Sequence, residues 1–207
     1  MTLRRVWGVG AGLAVVGGIA IGARLHRGWG ATADERAAPL PGDDLIANPV
    51  FESTRAITIQ AAPDSVWPWL VQMGMGRGGW YSYDSWAALI SSVPTASASR
   101  IIPKFQNLRL GDAVELGDRM VFQVKDLRPN RALVLHADEH QVPLQPWIKT
   151  WAFVLEPLEG GATRLLVRER SSWTRRWVGA ATAVTGWIWF WATRRQLKNL
   201  KALVEAT

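Results

Sequence analysis

The sequence of 207 residues contains no cysteine, which excludes a disulfide framework, a thiolate metal site and a cysteine nucleophile. It has only three histidines, His26, His136 and His140, which are too few and too scattered to predict a zinc site. No serine lies in the strand-to-helix motif of an activated nucleophile. The Gly76–Gly79 loop lacks the Gly-Lys-Ser/Thr ending of a phosphate-binding loop. We therefore expect no metal and no cofactor.

Charge is unevenly distributed along the chain, whose formal net charge is +7. Residues 1–30 hold four arginines and no acidic residue, residues 31–163 are net acidic, and residues 164–207 hold nine basic against two acidic residues. The basic groups thus flank the two most apolar stretches, whereas a nucleic-acid binder would spread them over its folded body. The pattern favours attraction to anionic lipid head groups, and we expect no nucleic-acid partner.

Val6–Ala23 is a run of eighteen residues with no charged and no strongly polar side chain. A helix needs about 20 residues to cross the hydrocarbon core of a bilayer, so this run predicts an N-terminal transmembrane anchor over residues 1–28. Trp7 and Trp29 lie near its ends, where indole rings favour the membrane interface. The anchor makes this a single-pass protein of the cell membrane, and the nearly balanced basic flanks leave its orientation open.

A cleaved export signal is the alternative to an anchor, because Ala31-Thr32-Ala33 resembles a cleavage site. That site lies well beyond the apolar run, and three basic residues intervene, so the sequence favours an uncleaved anchor. Residues 29–50, with three prolines and little periodicity, predict a linker between the anchor and a domain over residues 51–207.

The hydrophobic pattern of residues 51–207 predicts an α+β domain. After a first strand, a Pro-Asp-Ser start predicts a helix capped by Asp64 or Ser65, with Pro68 tolerated only in its first turn. A second short helix is expected over Tyr83–Ile90, before further strands and a long C-terminal helix. The predicted strands are Phe51–Ile59, Ala113–Leu116, Met120–Lys125, Arg131–His136, Lys149–Leu155 and Arg164–Arg170, and the last helix is Thr174–Val204.

This order of elements leaves one long helix to cover an antiparallel sheet that must bury one of its faces. A curved sheet wrapped around a single helix leaves a cavity between the two, which is the usual place for an apolar ligand.

Two stretches of this sequence are specific: Val66–Gly74, which reads Val-Trp-Pro-Trp-Leu-Val-Gln-Met-Gly, and Gly76–Asp84, which reads Gly-Arg-Gly-Gly-Trp-Tyr-Ser-Tyr-Asp. They resemble the START/SRPBCC superfamily, in particular its actinobacterial polyketide cyclase/dehydrase-like members. Pro41–Asp44 and Gly111–Leu116 match the same group, and the resemblance covers residues 29–205 in outline. It implies a helix-grip fold with a hydrophobic pocket. It implies little about activity, because members range from lipid carriers to cyclases and ligand sensors.

The chain departs from this pattern after Asp84. Relatives commonly continue with Trp-x-Glu-Asn, whereas this chain has Ser85-Trp86-Ala87-Ala88, so an acidic residue that could serve a site is missing. No pair of the remaining titratable groups has a spacing that forces them together, and we predict no catalytic residue. The candidate pocket residues are Trp80, Tyr81, Tyr83, Asp84, His136, Trp151, Glu169 and Trp187.

Trp177–Ala192 carries no charge for sixteen residues, which is short for a membrane span and long for an ordinary core helix. We expect one face, with Ala180, Val184, Trp187 and Trp191, to pack on the sheet. The Trp189 and Phe190 side would then contact the membrane surface. The predicted membrane contacts are Trp7, Trp29, Arg175, Arg176, Trp189, Phe190, Arg194 and Arg195.

Three functions remain after these considerations. The favoured one is a membrane-tethered binding protein that holds a hydrophobic small molecule or lipid in a helix-grip cavity, with the lipid bilayer as its other partner. The second is a cyclase- or hydratase-type enzyme that uses the same pocket with an acid such as Asp84 or Glu169. The third is a membrane interaction module whose core is collapsed and holds no ligand.

Overall fold

The structure is a computed structural model that describes residues 26–87, 89, 92, 96–118, 120–138, 147–173 and 176–207, without the side chains of residues 87 and 176–185. The predicted anchor over Val6–Ala23, with Trp7, lies outside these residues, as does Arg175, and both stay predictions. Within the part of the chain that is described, no helix is both long enough and apolar enough to cross a membrane.

Six antiparallel strands form one sheet in the order β1-β6-β5-β4-β3-β2. The last strand therefore lies beside the first, and every other neighbouring pair is consecutive in sequence. This sheet and a long C-terminal helix confirm the predicted α+β class. The strands are β1 (Phe51–Ile59), β2 (Ala113–Gly117), β3 (Met120–Arg128), β4 (Ala132–Ala137), β5 (Trp147–Pro157) and β6 (Thr163–Trp173).

Every predicted strand is present, but β3 extends three residues beyond its predicted end, to Arg128, and β5 and β6 are longer than predicted at both ends, at 11 residues each. They pair with each other from Trp147↔Trp173 to Pro157↔Thr163. Because the ladder of backbone hydrogen bonds continues past the apolar residues, the strands extend beyond the segment that their hydrophobic pattern marks.

Both faces of the sheet are covered, as β4 shows most clearly, since all six of its residues are buried. Leu133 and Leu135 point to the inner face, where they join the main hydrophobic core. Val134 points to the outer face, where Gly42 lies so close that a Cβ built on it would be 2.6 Å from a Val134 methyl carbon. Gly42 also has a φ of 86°, so both its backbone and its neighbour require glycine there.

The outer face is covered by the segment that the sequence predicted as a linker, which is more structured than predicted. It contains α1 (Ala33–Ala37) and a 3-10 turn over Asp43–Ile46. Thr32 and Glu35 form a reciprocal capping box at the start of α1, which satisfies two backbone N–H groups that would otherwise lack partners. A small apolar cluster joins this segment to the sheet, formed by Ala31, Leu40, Ala56, Val154 and Leu166.

Arg168 on β6 holds this segment against the sheet. Its side chain is 3% exposed and makes a 2.7 Å ion pair with Asp43, while its Nε donates to the hydroxyl of Thr54. Its two terminal nitrogens also donate to carbonyls at the end of α1, where helix carbonyls lack intrahelical partners. The accepting carbonyls belong to Glu35, Arg36 and Ala38.

Helix α2 (Pro63–Val71) lies on the inner side, and the structure corrects two details of its prediction. Its N-cap is Ala62, with no capping hydrogen bond from Asp64 or Ser65, and Pro63 occupies the first helical position, where a missing N–H costs nothing. Pro68 lies inside the helix and not in its first turn. The helix ends three residues later, so few of its backbone bonds depend on that position.

The third helix, α3, spans Asp84–Ala87, so it begins one residue later than predicted. The long C-terminal helix α4 spans Arg176–Glu205, close to the predicted range. In its second half Leu197, Leu200 and Val204 are 0–3% exposed and complete the core of the inner face.

Replacing Arg168 by alanine should lower the free energy of unfolding by about 3 kcal/mol or more, because it removes the buried donor to three carbonyls and to Asp43, whose remaining ion pair among the described residues is the longer 3.3 Å one with Arg170. Arg128→Ala is the matched control, since its ion pair with Asp126 is exposed and is expected to contribute less than about 1 kcal/mol. Equilibrium denaturant unfolding measures both values. Equal, small losses would show that Arg168 does not hold the outer segment in place.

Candidate functional site

A cavity of about 470 Å³ lies between the inner face of the sheet and α4, within the range of small-molecule sites. Its wall is almost entirely apolar and contains five aromatic rings. Strands β2 and β5, the loop between α2 and α3, α3 itself and the middle of α4 all contribute to it. The lining residues are Met75, Trp80, Ser82, Tyr83, Trp86, Leu89, Leu116, Trp151, Ile188, Trp189, Ala192, Thr193 and Gln196.

The floor of the cavity is a stacked pair of tryptophans. The rings of Trp80 and Trp151 are parallel within 8° and 5.0 Å apart, and Phe122 and Phe153 support Trp151 from the strands. The indole N–H of Trp80 donates to the backbone carbonyl of Glu115 at 3.0 Å. Since stacking and this hydrogen bond fix both rings, the floor is shaped before a ligand arrives.

The glycine-rich loop that presents Trp80 is closed by Gly74 and Gly79, which form an antiparallel bridge. Gly79 has a φ of 74°, and a Cβ there would lie 2.7 Å from the backbone of Ser97. Arg77 fastens the loop from inside by donating to the carbonyls of Met73 and Val71. The loop is therefore a packing turn, as the absence of a phosphate-binding motif predicts.

Tyr81 and Asp84, two of the predicted pocket residues, support this loop and do not line the cavity. Tyr81 is fully buried, accepts a 2.7 Å hydrogen bond from Gln72 and packs edge-on against Trp69. Burial raises the pKa of its phenol to about 12, so it stays neutral. Asp84 accepts hydrogen bonds from the backbone N–H and the hydroxyl of Ser97.

Helix α4 forms the opposite wall, and its orientation is the reverse of the prediction. Trp189 lines the cavity and Phe190 is buried, although both were expected to face a membrane. Trp187 and Trp191, expected to pack on the sheet, are 45% and 44% exposed. The buried Leu197 and its neighbours on the next turns set the rotation of the described part of α4, which brings positions 189, 190 and 193 inward. Ala180 and Val184, also expected to pack on the sheet, lie outside the residues whose side chains are described.

Glu169 lies next to the cavity in a buried ionic cluster. It points to the inner face between Lys149 and Arg55, with Nζ of Lys149 at 2.5 Å and Nη1 of Arg55 at 3.6 Å from its carboxylate oxygens. Burial alone would raise the pKa of Glu169, but the two cations outweigh burial and hold that pKa below its usual range. The ammonium of Lys149 lies 4.6 Å from the ring of Trp189, which separates the cluster from the cavity.

His136 lies on the outer face of the sheet, so it does not reach the cavity. Its Nδ1 is 3.1 Å from the Thr150 hydroxyl and its Nε2 is 3.4 Å from a carboxylate oxygen of Asp138. Burial lowers the pKa of the imidazole, and the nearby Asp138 only partly opposes this effect.

The lining residues that the structure describes include no carboxylate, imidazole or ammonium group. Their polar groups are the side chains of Ser82, Tyr83, Thr193 and Gln196 and the indole N–H groups of the tryptophans. The hydroxyl of Ser82 already donates to the carbonyl of Ala192, and the N–H of Trp80 to that of Glu115. No group of His, Asp and Glu that could hold a metal ion occurs among the described residues. The described wall can therefore bind an apolar molecule, and it presents no carboxylate, imidazole or ammonium group for general acid–base chemistry.

Comparison with solved structures finds similar chains at low sequence identity. A protein from Nitrosomonas europaea is 13% identical, with 82% of this chain and 99% of that chain covered and a TM-score of 0.50. A protein from Arthrobacter aurescens is 15% identical over 75% of this chain and 87% of that chain, with a TM-score of 0.46. CalU16 from Micromonospora echinospora is 17% identical over 74% and 87%, with a TM-score of 0.39. No protein-family model and no curated protein matches the sequence.

The likeness to the Nitrosomonas protein establishes a common fold and no common activity. A six-stranded antiparallel sheet with a C-terminal helix is consistent with the helix-grip fold that the START/SRPBCC resemblance implies.

Of the eight candidate pocket residues, the structure brings together Trp80, Tyr83 and Trp151. It places Tyr81, Asp84 and Glu169 in supporting contacts, His136 on the outer face and Trp187 at the surface. Of the predicted membrane contacts, Trp29 is half-buried against the core, and Arg176 lies in α4 with its side chain not described. Sequence reasoning missed the α4 lining from Ile188 to Gln196, which extrapolation back from Leu197 by helical turns would have found.

The lowered pKa of His136 predicts a pH dependence of stability. Between its folded pKa and the ordinary value of about 6.5, the unfolded state binds more protons, so the free energy of unfolding falls as the pH falls through this window. In His136→Gln, the loss of stability between about pH 7.5 and about pH 5 should be smaller than in the parent protein. Unfolding curves at both pH values measure it, and an unchanged loss would contradict the assignment.

Proposed function

We propose that the protein binds an apolar small molecule or lipid in the cavity between the sheet and α4. The observation that carries the proposal is the wall itself, in which aromatic and aliphatic side chains enclose about 470 Å³. An apolar wall of this kind favours an apolar ligand, because binding removes the apolar surface of both from water. A ligand that buries about 200 Å² of apolar surface there gains on the order of 5 kcal/mol from transfer alone.

The shape of the cavity favours a ligand with flat, apolar parts. The stacked Trp80 and Trp151 form a broad floor, and Tyr83 and Trp86 form a second stack, with ring centroids 4.2 Å apart, toward the mouth. Aromatic walls interact best with rings or unsaturated chains that lie offset against them. The few polar lining groups leave room for at most a small number of hydrogen bonds to the ligand.

The membrane tether is part of this proposal, with Val6–Ala23 as an uncleaved anchor. Support comes from the residues that follow it. The carbonyl of His26 accepts a hydrogen bond from the buried Arg55, and the carbonyl of Trp29 accepts one from the backbone N–H of Ala56. Cleavage at Ala33 would remove both partners and leave a buried guanidinium with fewer acceptors, which costs stability.

A side chain that fills the cavity should abolish binding. Ala192 lines the cavity from α4, whereas Ala202 is exposed on the same helix, so Ala192→Phe and Ala202→Phe are matched variants. With the uncharged fluorophore N-phenylnaphthylamine and the full chain in nanodiscs, energy transfer from tryptophan measures affinity. We expect a loss of about tenfold or more, which is about 1.4 kcal/mol, for Ala192→Phe only.

The unfolding transition of each variant controls for a general loss of structure. If Ala192→Phe stays folded and binds the fluorophore as tightly as Ala202→Phe does, the cavity is not the binding site and the proposal fails.

A further inference from the structure

The mouth of the cavity is surrounded by exposed apolar side chains, which we call the rim: Trp86, Leu89, Trp187, Ile188 and Trp191. Three of them, Trp86, Leu89 and Ile188, line the cavity and are also exposed to solvent, at 43%, 83% and 52%. We propose that the rim seats in the head-group region of an anionic bilayer, so that the cavity opens into the membrane and exchanges its ligand there. This inference rests on the proposed function.

Between Trp187 and Thr193, helix α4 presents one face to the cavity and a second, apolar face to the outside. Trp189 and Thr193 face the cavity, while Trp187, Ile188 and Trp191 face outward. A helix that only covers a sheet needs one apolar face and carries polar residues on the other. The second face therefore requires an environment other than water, and tryptophan is the residue type that favours the membrane interface.

Basic residues stand beside the rim. The guanidinium of Arg194 lies 5.4 Å from the ring centroids of both Trp29 and Trp191, and that of Arg195 lies 4.5 Å from the ring of Tyr83. Surfaces that bind membranes commonly combine aromatic rings, which insert among the lipids, with arginines, which bind the anionic head groups. This charge complementarity selects an anionic bilayer as the occupant.

The direction of the chain points to the same place. His26, the first described residue, stacks on Trp187 with ring centroids 4.9 Å apart. The described chain therefore begins at the rim, and the uncharged stretch Val6–Ala23 ends three positions before His26 in the sequence. A membrane anchor that emerges at this point keeps the rim at a high local concentration near the lipid surface, and the apolar ligand need not cross water to reach the cavity.

The absence of cysteine permits a direct test in the full chain, because one introduced cysteine carries the only label. Ile188→Cys and Leu89→Cys place the fluorophore nitrobenzoxadiazole on the rim. Leu158→Cys places it on the turn between β5 and β6, where Leu158 is 42% exposed, as the control. The proteins are reconstituted in vesicles of phosphatidylcholine and phosphatidylglycerol, with nitroxide-labelled lipid as one quencher and aqueous iodide as the other.

We expect nitroxide lipid to quench the two rim labels and iodide to reach them poorly, with the opposite result for the label at position 158. Rim labels that iodide quenches as well as it quenches the control overturn the inference. So do rim labels that are shielded from both quenchers, because that result means that the rim is covered by residues 1–25 or by a second copy of the chain.

The second arm measures ligand exchange with Trp191→Glu, which changes the rim outside the cavity wall, and Leu158→Glu as the control. Transfer of N-phenylnaphthylamine from vesicles to the protein should slow about tenfold in Trp191→Glu, at unchanged equilibrium affinity. An unchanged rate overturns the inference and leaves the proposed function standing. If even the parent protein does not bind the fluorophore, the proposed function fails, whatever the quenching result.

Discussion

A single helix is too narrow to cover the inner face of this sheet, and the cavity follows from that constraint. Six strands spaced about 4.8 Å apart span about 24 Å, whereas a helix with its side chains is about 10 Å wide. Helix α4 packs tightly against the core in its second half, through Leu197, Leu200 and Val204. Over β2 to β5 the face is left to α2 and the glycine-rich loop, and between this loop and the middle of α4 lies the enclosed space.

Two sets of buried ionic contacts make this arrangement possible. On the outer face Arg168 binds the segment that contains α1, so the sheet is covered on both sides and every residue of β4 is buried. On the inner face Glu169 neutralises Lys149, whose ammonium also rests on the ring of Trp189 in the cavity wall. A buried carboxylate between two cations tolerates desolvation only because all three are paired, and the same pairing fixes the position of Trp189.

The order of strands and helices could be predicted from the sequence, because hydrophobic periodicity is a local signal. Three aromatic residues of the cavity wall, Trp80, Tyr83 and Trp151, were also among the predicted pocket residues. The rotation of α4 around residues 187–191 was predicted wrongly. An apolar run with tryptophan on every side of the helix does not indicate which side faces the sheet. The outer segment was taken for a linker because its contacts, such as Arg168 with α1, join residues more than a hundred positions apart. Whether Glu169 or His136 reaches the cavity depends on strand register, which a local pattern does not specify.

The most direct test of the central claim is a crystal structure of the full chain with bound N-phenylnaphthylamine. We expect density for the fluorophore in the space that separates the stacked pair Trp80 and Trp151 from the ring of Trp189, with its outer end toward Ile188. Density for the fluorophore only on the protein surface, with side chains of α4 filling the space over Trp151, would contradict the claim that this cavity is built to hold an apolar ligand.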